Sequence, residues 1–590
     1  MRHNLTKRLK GAITAAILAA STLSTAFCGC GSQSSASSEP KTALELTQQM
    51  GNGINLGNTM EAYGHASLGT TADVSSYETL WQQPVTTQEM VDAMKEAGFD
   101  SLRIPVAWTN AMDYESGDYT IGKAYLDRIE EIANYALKND MYVIINDHWD
   151  GGWWGMFGSD TEETREEAMN MYVEMWKQIA ERFKNYSSHV IFESANEELG
   201  DRLNDVDICK DSGNLSEDEC YEITNKINQT FVDTIRSSGG KNKERFLLIA
   251  GYNTDIDATC DERFKMPTDT AEDKLLVSVH YYTPWNYCGS ASVTHWGTTR
   301  DYTEQNDFLA KLTKFTEQGV GVIIGEYAVL VNEDGSVKEN TADFIENMLN
   351  NCDKYNYCPM LWDCSNLFVR SECSFCDEDI ANVFKEHSYA SQSALSEEEI
   401  KTQAEDALNT ALANAPETFD ENIDLSTLDG ATAWIMFNSD DGSLAYSVGD
   451  VYNPDSKSEG IVVTDVAITE AGTYTAALDF TQTENGCASG VGFSALAISN
   501  GELFFPNYVI NIEEIKINGE VYTPSVSPYT CSDDGKCTRV NLYNEWASYN
   551  EAGSRLSSDA AGEPSPLVID RDAWKNLETL EITFTYELVE

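Results

Sequence analysis

The segment VIFESANEEL at 190–199 begins as an apolar, strand-like run and closes on three glutamates and one asparagine. A second apolar run, VGVIIGEY at 320–327, closes on Glu326-Tyr327. Other such runs end the same way. SLRIPV (101–106) carries Arg103, MYVIINDH (141–148) ends in Asp147-His148, LLVSVHYY (275–282) ends in His280-Tyr281-Tyr282, and CPMLWDCS (358–365) holds Trp362-Asp363. Any one of these has an ordinary structural use, since a polar residue at a strand end usually hydrogen-bonds a neighbour. Gathered at one mouth they are not explained by solubility. Two glutamates facing each other across such a mouth are the apparatus of glycoside hydrolysis, in which one carboxyl is protonated to assist the leaving oxygen and the other is ionised to attack the anomeric carbon. Arg103 offers a positive charge to hold one of them ionised, and Asn196 an amide to hydrogen-bond a sugar hydroxyl. Glu193 and Glu197 share strand parity but sit roughly 13 Å apart along a strand, so Glu193 belongs deep inside and Glu197 at the rim. Glu198 has the opposite parity and faces away. Parity fails where the strand stops, so the residues alone leave the choice between Glu197 and Glu198 open.

The elements that must position these groups are legible as alternation. Eight strand-like runs are read at 53–58, 101–106, 141–148, 189–196, 245–252, 275–282, 320–327 and 358–365. Most are nearly continuous in apolar residues, as strands buried on both faces are. Helical spacing separates them at 86–98, 124–140, 165–183, 221–237 and 303–318, the first opening on threonine caps and closing on Gly98. Eight such units over this length predict an α/β fold, a (β/α)8 TIM barrel with its chemistry at the C-terminal strand ends. A doubly wound open sheet is the alternative, and the absence of a Gly-rich phosphate loop after the first run argues against it.

The ordered motifs GINLGNTMEA, WQQPVTT, FDSLRIPVAW, INDHWDGGWW, VIFESANE, VSVHYYTPW, IGEYAV and LWDCSN resemble glycoside hydrolase family 5, and within it the endoglucanase-rich subfamily 4, over about residues 45–390. The resemblance implies Glu197 as acid/base and Glu326 as nucleophile of a retaining mechanism. It implies that Arg103, His148, Asn196, His280 and Tyr282 are active-site positions and that Trp362 is a sugar platform. Arg103 and Tyr282 are expected to orient Glu326, His280 to tune Glu197, and Asn196 to hold the sugar 2-hydroxyl. No metal and no organic cofactor is required. Three departures bear on substrate preference: Trp149 where histidine is frequent, Cys364 where asparagine is usual, and Gln82-Gln83 where Gly-Asn is usual. Trp81, Trp108, Trp149, Trp153, Trp154, Trp285 and Trp296 are candidate stacking surfaces, half of them expected in the core. Trp153 and Trp154 follow two glycines in a loop and are favoured as substrate contacts.

The expected activity is an endo-acting β-1,4-glucanase on plant cell-wall glucan. Xyloglucanase, mannanase or mixed-linkage glucanase is the alternative within the fold, and a non-catalytic glycan-binding surface protein is the alternative of another class. The chain of 590 residues has a formal charge of −58, which repels nucleic acid and anionic membrane and suits a neutral polysaccharide partner. Arg2, Lys7, Arg8 and Lys10 precede a small apolar run at 11–27, the pattern of a secretory signal over 1–30. Cys28 or Cys30 is a candidate lipid anchor, free secretion being the alternative, and no later stretch is apolar enough to span a membrane. The expected product is a monomeric, extracellular or surface-held protein of a bacterium. Cys358, Cys364, Cys373 and Cys376 lack the spacing of a zinc site. A polar tether (31–44) leads into the barrel (45–390). An acidic, alanine-rich helical linker (391–424) follows, and then residues 425–590, whose period-two patterning predicts an all-β sandwich and a candidate carbohydrate-binding module.

Overall fold

The computed structural model describes residues 39–290, 295–332, 335–416, 425, 428–448, 453–524, 530–531, 536–544, 555–556 and 568–588. The leader, Cys28, Cys30, Tyr452 and Trp546 lie outside them. Eight parallel strands close a barrel in sequence order: β1 (Gly53–Asn55), β2 (Ser101–Ile104), β3 (Tyr142–Ile145), β4 (Val190–Glu193), β5 (Leu247–Ala250), β6 (Leu275–Tyr281), β7 (Gly321–Tyr327) and β8 (Tyr357–Leu361). All eight expected runs are present, and the open-sheet alternative is excluded by the pairing of β1 with β8. Most strands are shorter than their apolar runs because the polar residues at the C-terminal ends leave the ladder and line the mouth. Inside the barrel, Ile144, Ile191, Leu248, Leu276, Ile323 and Met360 form one buried cluster with the helix Ala43–Met50 below it.

Two irregularities aim the mouth residues. The β6–β7 register shifts between Val279 and His280, so that His280 comes level with Glu326. The β7–β8 register shifts between Ile324 and Tyr327. Such bulges re-aim side chains at the rim of a barrel. Gly325, at the shift, admits no side chain, because a Cβ there would meet Ser278 Oγ at 2.7 Å. The missing side chain lets β7 press against β6 beside Glu326.

The segment read as a linker contains the helix Glu397–Asn414, opened by a capping box from Ser396 and Glu399. It packs against the helix Thr341–Tyr355 and buries Ala404 and Leu408, so its thin apolar face is used on the barrel. Beyond it, two largely antiparallel sheets share one apolar core. One is built around Ala431–Asn438, Phe493–Ser499 and Thr538–Tyr543, the other around Gly472–Asp479, Thr579–Leu588 and Tyr508–Ile517. This is the β-sandwich arrangement that the alternating sequence predicts. No helix among the described residues is long and apolar enough to cross a membrane.

Candidate active site

The site is organised from beneath by one buried guanidinium. Arg103 on β2 donates through Nε to Glu193 Oε2 (2.7 Å), through Nη1 to Asn55 Oδ1 (2.9 Å) and Glu326 Oε1 (3.0 Å), and through Nη2 to Asn196 Oδ1 (2.8 Å). A planar fork with fixed donor directions is what lets one side chain orient four residues from three other strands. Ser278 Oγ donates to the other oxygen of Glu193 at 2.7 Å. Asn55 in turn donates to the carbonyl of Gly325 at 2.9 Å, tying β1 to the strand of Glu326. Tyr282 OH donates to Glu326 Oε2 at 2.9 Å.

Glu197 stands just beyond β4. Its Oε1 lies 3.0 Å from His280 Nδ1, and the same nitrogen lies 3.5 Å from Glu326 Oε2. Glu197, His280 and Glu326 each bring one polar atom within 4.8 Å of the others. The second oxygen of Glu197 pairs with Arg202 Nη2 at 3.0 Å. His148 Nε2 lies 3.5 Å from Asn196 Nδ2 and 4.0 Å from Glu326 Oε1, and its ring stacks on half-exposed Trp362 at 5.6 Å. Asp363 fixes the turn after Trp362 by accepting from the backbone of Ser365 and Leu367, both at 2.9 Å.

The electrostatics separate the two acids. Burial pushes Glu197 up, but the His280 hydrogen bond and the neighbouring charges, Arg202 among them, overcome it and hold the carboxyl at about 2. Burial also raises Glu326, and here His280 and Arg103 only partly offset it, so that it stays above its ordinary value. Burial, reinforced by Arg103, drives His148 well below the usual imidazole range, so it is neutral. Tyr282 is held protonated by burial and by the Glu326 charge.

The tryptophan assignment needs correction. Trp153 and Trp154 are fully buried and stack on each other at 4.5 Å, so they do not touch substrate. Gly151 and Gly152 adopt φ of 77° and 79°, a left-handed turn that folds the following indoles inward. Trp154 Nε1 donates to the carbonyl of His148 at 3.2 Å, so the pair braces the loop that carries His148. Trp108 and Trp296 are also buried, whereas Trp81 and Trp285 are exposed and Trp149 is partly so. Glu198 turns away from the cleft into the interior, where both its oxygens lack a hydrogen-bond partner among the described residues.

Sequence reasoning missed Asn55 and Arg202. Asn55 had a signal, being the polar residue of an otherwise apolar first strand. Arg202 sits after the strand in a 3-10 turn, Asp201–Asn204, too short to show a periodicity. Cys209, Cys220, Cys352, Cys358, Cys373 and Cys376 carry free thiols.

Residues 62–367 match the family model described as Cellulase (glycosyl hydrolase family 5). The chain is 32% identical over 368 residues to Endoglucanase A of Paenibacillus barcinonensis, covering 57% of this chain and 86% of that protein. It is 33% identical over 341 residues to a xyloglucan-specific endo-β-1,4-glucanase of Bacteroides ovatus, covering 55% of this chain and 65% of that protein. A solved GH5-4 broad-specificity endoglucanase from Ruminococcus champanellensis with bound cellotriose superposes with a TM-score of 0.52 at 30% identity, over 58% of this chain and 98% of that one.

Proposed function

The chain belongs to glycosyl hydrolase family 5 and is an endo-β-glucanase, and from that premise we propose that it cleaves internal β-1,4 bonds by double displacement, with Glu326 as nucleophile and Glu197 as acid/base. One observation carries the mechanism: Glu197, His280 and Glu326 each bring one polar atom within 4.8 Å of the others. Retaining glycosidases hold their carboxyl groups about 5–5.5 Å apart, whereas inverting ones leave room for a water between them, roughly 6.5–9.5 Å. Glu326, oriented by Arg103 and Tyr282, attacks the anomeric carbon as Glu197 passes a proton to the departing oxygen. Water then attacks the glycosyl–Glu326 ester, and Glu197 takes its proton. Asn196 and His148 border the reacting sugar, and Trp362 offers it a face to stack on.

The test is the configuration of the first product, followed by proton NMR during hydrolysis of a cello-oligosaccharide. Retained configuration is expected, and an inverted product removes the mechanism. Glu326→Gln is expected to lose turnover by orders of magnitude while keeping oligosaccharide affinity. The alternative of a non-catalytic glycan binder requires that even the unaltered chain shows no turnover. A panel of carboxymethylcellulose, lichenan, xyloglucan, xylan and mannan assigns the backbone and its decoration. A β-1,4-glucan backbone is favoured because the relatives include both endoglucanases and a xyloglucan-specific endo-β-1,4-glucanase.

Export as a monomer to the cell exterior is part of the reading, because a polymeric substrate meets an enzyme only outside the cell. The basic residues before 11–27 support it. Labelling with a radioactive fatty acid separates an anchor at Cys28 or Cys30 from free secretion. Residues 425–590 are proposed to bind glucan. Trp434, Tyr446, Tyr543 and Trp574 are buried in the sandwich, so the support comes from the half-exposed Phe504, Phe505 and Tyr508. Retention of residues 425–590 on insoluble cellulose no better than that of an inert protein removes this claim.

A further inference from the structure

The electrostatics of the site oppose the chemistry. Glycosylation needs a proton on Glu197 and none on Glu326. The surroundings favour the reverse, holding Glu197 at about 2 and Glu326 above its ordinary value. His280 lowers Glu197 most and Arg202 next, and the geometry shows which of the two can move. Both oxygens of Glu197 are taken, Oε1 by His280 at 3.0 Å and Oε2 by Arg202 at 3.0 Å. His280 is buried on β6 and stays. The Arg202 side chain is 51% exposed, and after Glu197 its next carboxylate neighbour is Glu198 Oε1, at 3.9 Å.

The backbone beneath Arg202 is anchored, while its side chain is half exposed. Gly200 has φ 131°, and a Cβ there would meet Asn253 Oδ1 at 2.2 Å. Asp201 accepts from Tyr252 OH at 2.6 Å and from Asn253 Nδ2 at 3.2 Å. Leu203 is buried in the core. The side chain rises from this anchored turn into a cleft of roughly 390 Å³ lined by Trp149, Asp201, Arg202, Asn204 and Asp205. Half-exposed Trp149 offers a stacking face there. Arg202, which lines this cleft, is also the partner of the Glu197 oxygen that His280 does not hold.

Resting on the acid/base assignment above, we infer that Arg202 and the leaving sugar are alternative occupants of Glu197 Oε2, so that Arg202 is a positioning residue that exchanges with substrate. With the cleft empty, Arg202 pairs with the carboxylate. An entering chain displaces the guanidinium, and Glu197 takes a proton from water. It gives that proton to the glycosidic oxygen as the C1–O bond breaks and the Glu326–C1 bond forms. When the shortened chain leaves with its new hydroxyl, Arg202 returns to the ionised carboxylate. Glu197 then takes a proton from the water that attacks C1 as the Glu326–C1 bond breaks. Besides His280 and Arg202, the groups that face Glu197 are His148, Glu326, Tyr282 and Glu198, and these stay in place through both steps.

The experiment compares Arg202→Ala with the unaltered chain across pH. Productive enzyme carries the proton on Glu197, so raising the carboxyl by one ion pair favours catalysis wherever Glu197 is otherwise ionised. On β-glucan the ratio of kcat/KM, variant over unaltered, is expected to climb by about tenfold from the acid to the alkaline side, the factor that one pKa unit represents. On an aryl β-cellobioside whose phenol departs unprotonated, kcat/KM should show a ratio flat in pH. Its kcat, limited by the ester step that needs ionised Glu197, should fall in the variant on the acid side. Arg202→Lys should restore most of the original profile. Repeating the comparison in Glu198→Gln removes titration of that neighbour and should leave the trends unchanged. A ratio constant in pH for glucan overturns the inference, because loss of a merely structural contact scales the whole profile. Failure of the underlying assignment looks different: Glu197→Gln then keeps its glucan turnover, whatever Arg202 does.

Discussion

Arg103 and Glu193 meet at 2.7 Å with neither side chain exposed. Breaking a buried pair leaves an uncompensated charge and costs about 3–5 kcal/mol. Glu193→Ala is therefore expected to lower the denaturation midpoint of the barrel strongly and to reduce turnover, since the guanidinium that loses Glu193 also orients Glu326 and Asn196. The exposed pair Lys123–Asp127, at 2.6 Å, is the comparison. Its removal is expected to leave the midpoint nearly unchanged, because solvent screens an exposed pair. Equal midpoints for the two variants would contradict the organising role given to Arg103.

Tyr282 holds the nucleophile by one hydrogen bond of 2.9 Å. A hydrogen bond to a charged group is worth about 1.5–3 kcal/mol, so Tyr282→Phe should lower kcat/KM by roughly 10- to 100-fold. That bond also draws Glu326 downward against burial. Without it the nucleophile protonates more readily, and the loss should be larger on the acid side of the optimum. A loss uniform across pH would mean that Tyr282 orients Glu326 without tuning it.

Glu198 is 1% exposed, and burial, with Arg202 only partly opposing it, raises its carboxyl to about 8. The folded state thus binds this proton more tightly than the unfolded chain does. Its contribution is fully present below the ordinary value of 4.5 and is lost as pH rises through about 8. The size is on the order of a few kcal/mol. In thermal unfolding from pH 5 to pH 9, Glu198→Gln should lose less stability with rising pH than the unaltered chain. Parallel curves would show that Glu198 does not titrate in this range.

What the sequence discloses follows from what its periodicities encode. Continuous apolar runs capped by polar residues identify β1 to β8 and their chemically active ends, because burial on both faces permits little else. The parity argument separates Glu193 from Glu197 for the same reason. It cannot report where a loop returns. Gly151-Gly152 reads as an exposed turn, yet its left-handed backbone drives Trp153 and Trp154 into the core. Arg202 reaches back to Glu197 across a turn at Gly200 that Asn253 anchors through Asp201, and that tie between distant segments is carried by no local pattern. The bulges that bring His280 level with Glu326 are likewise a property of paired strands, invisible in either strand alone.

The two kinds of tryptophan near the mouth should separate cleanly. Trp285 is 65% exposed and stands edge-on to Tyr282 at 6.1 Å, so it can offer a sugar its face without supporting the fold. Trp285→Ala should raise KM for cello-oligosaccharides several-fold and leave the unfolding midpoint unchanged. Trp154 buries its whole ring and bonds the carbonyl of His148. Trp154→Ala should cost about 3–5 kcal/mol of stability, as large-to-small changes in cores do. Trp154→Phe keeps much of the volume but loses the bond, and it should lower kcat more than it raises KM, because the histidine beside the nucleophile is then less firmly held. If Trp154→Phe raised KM alone, the indole would be touching sugar after all, and the inward turn at Gly151-Gly152 would have to open in solution.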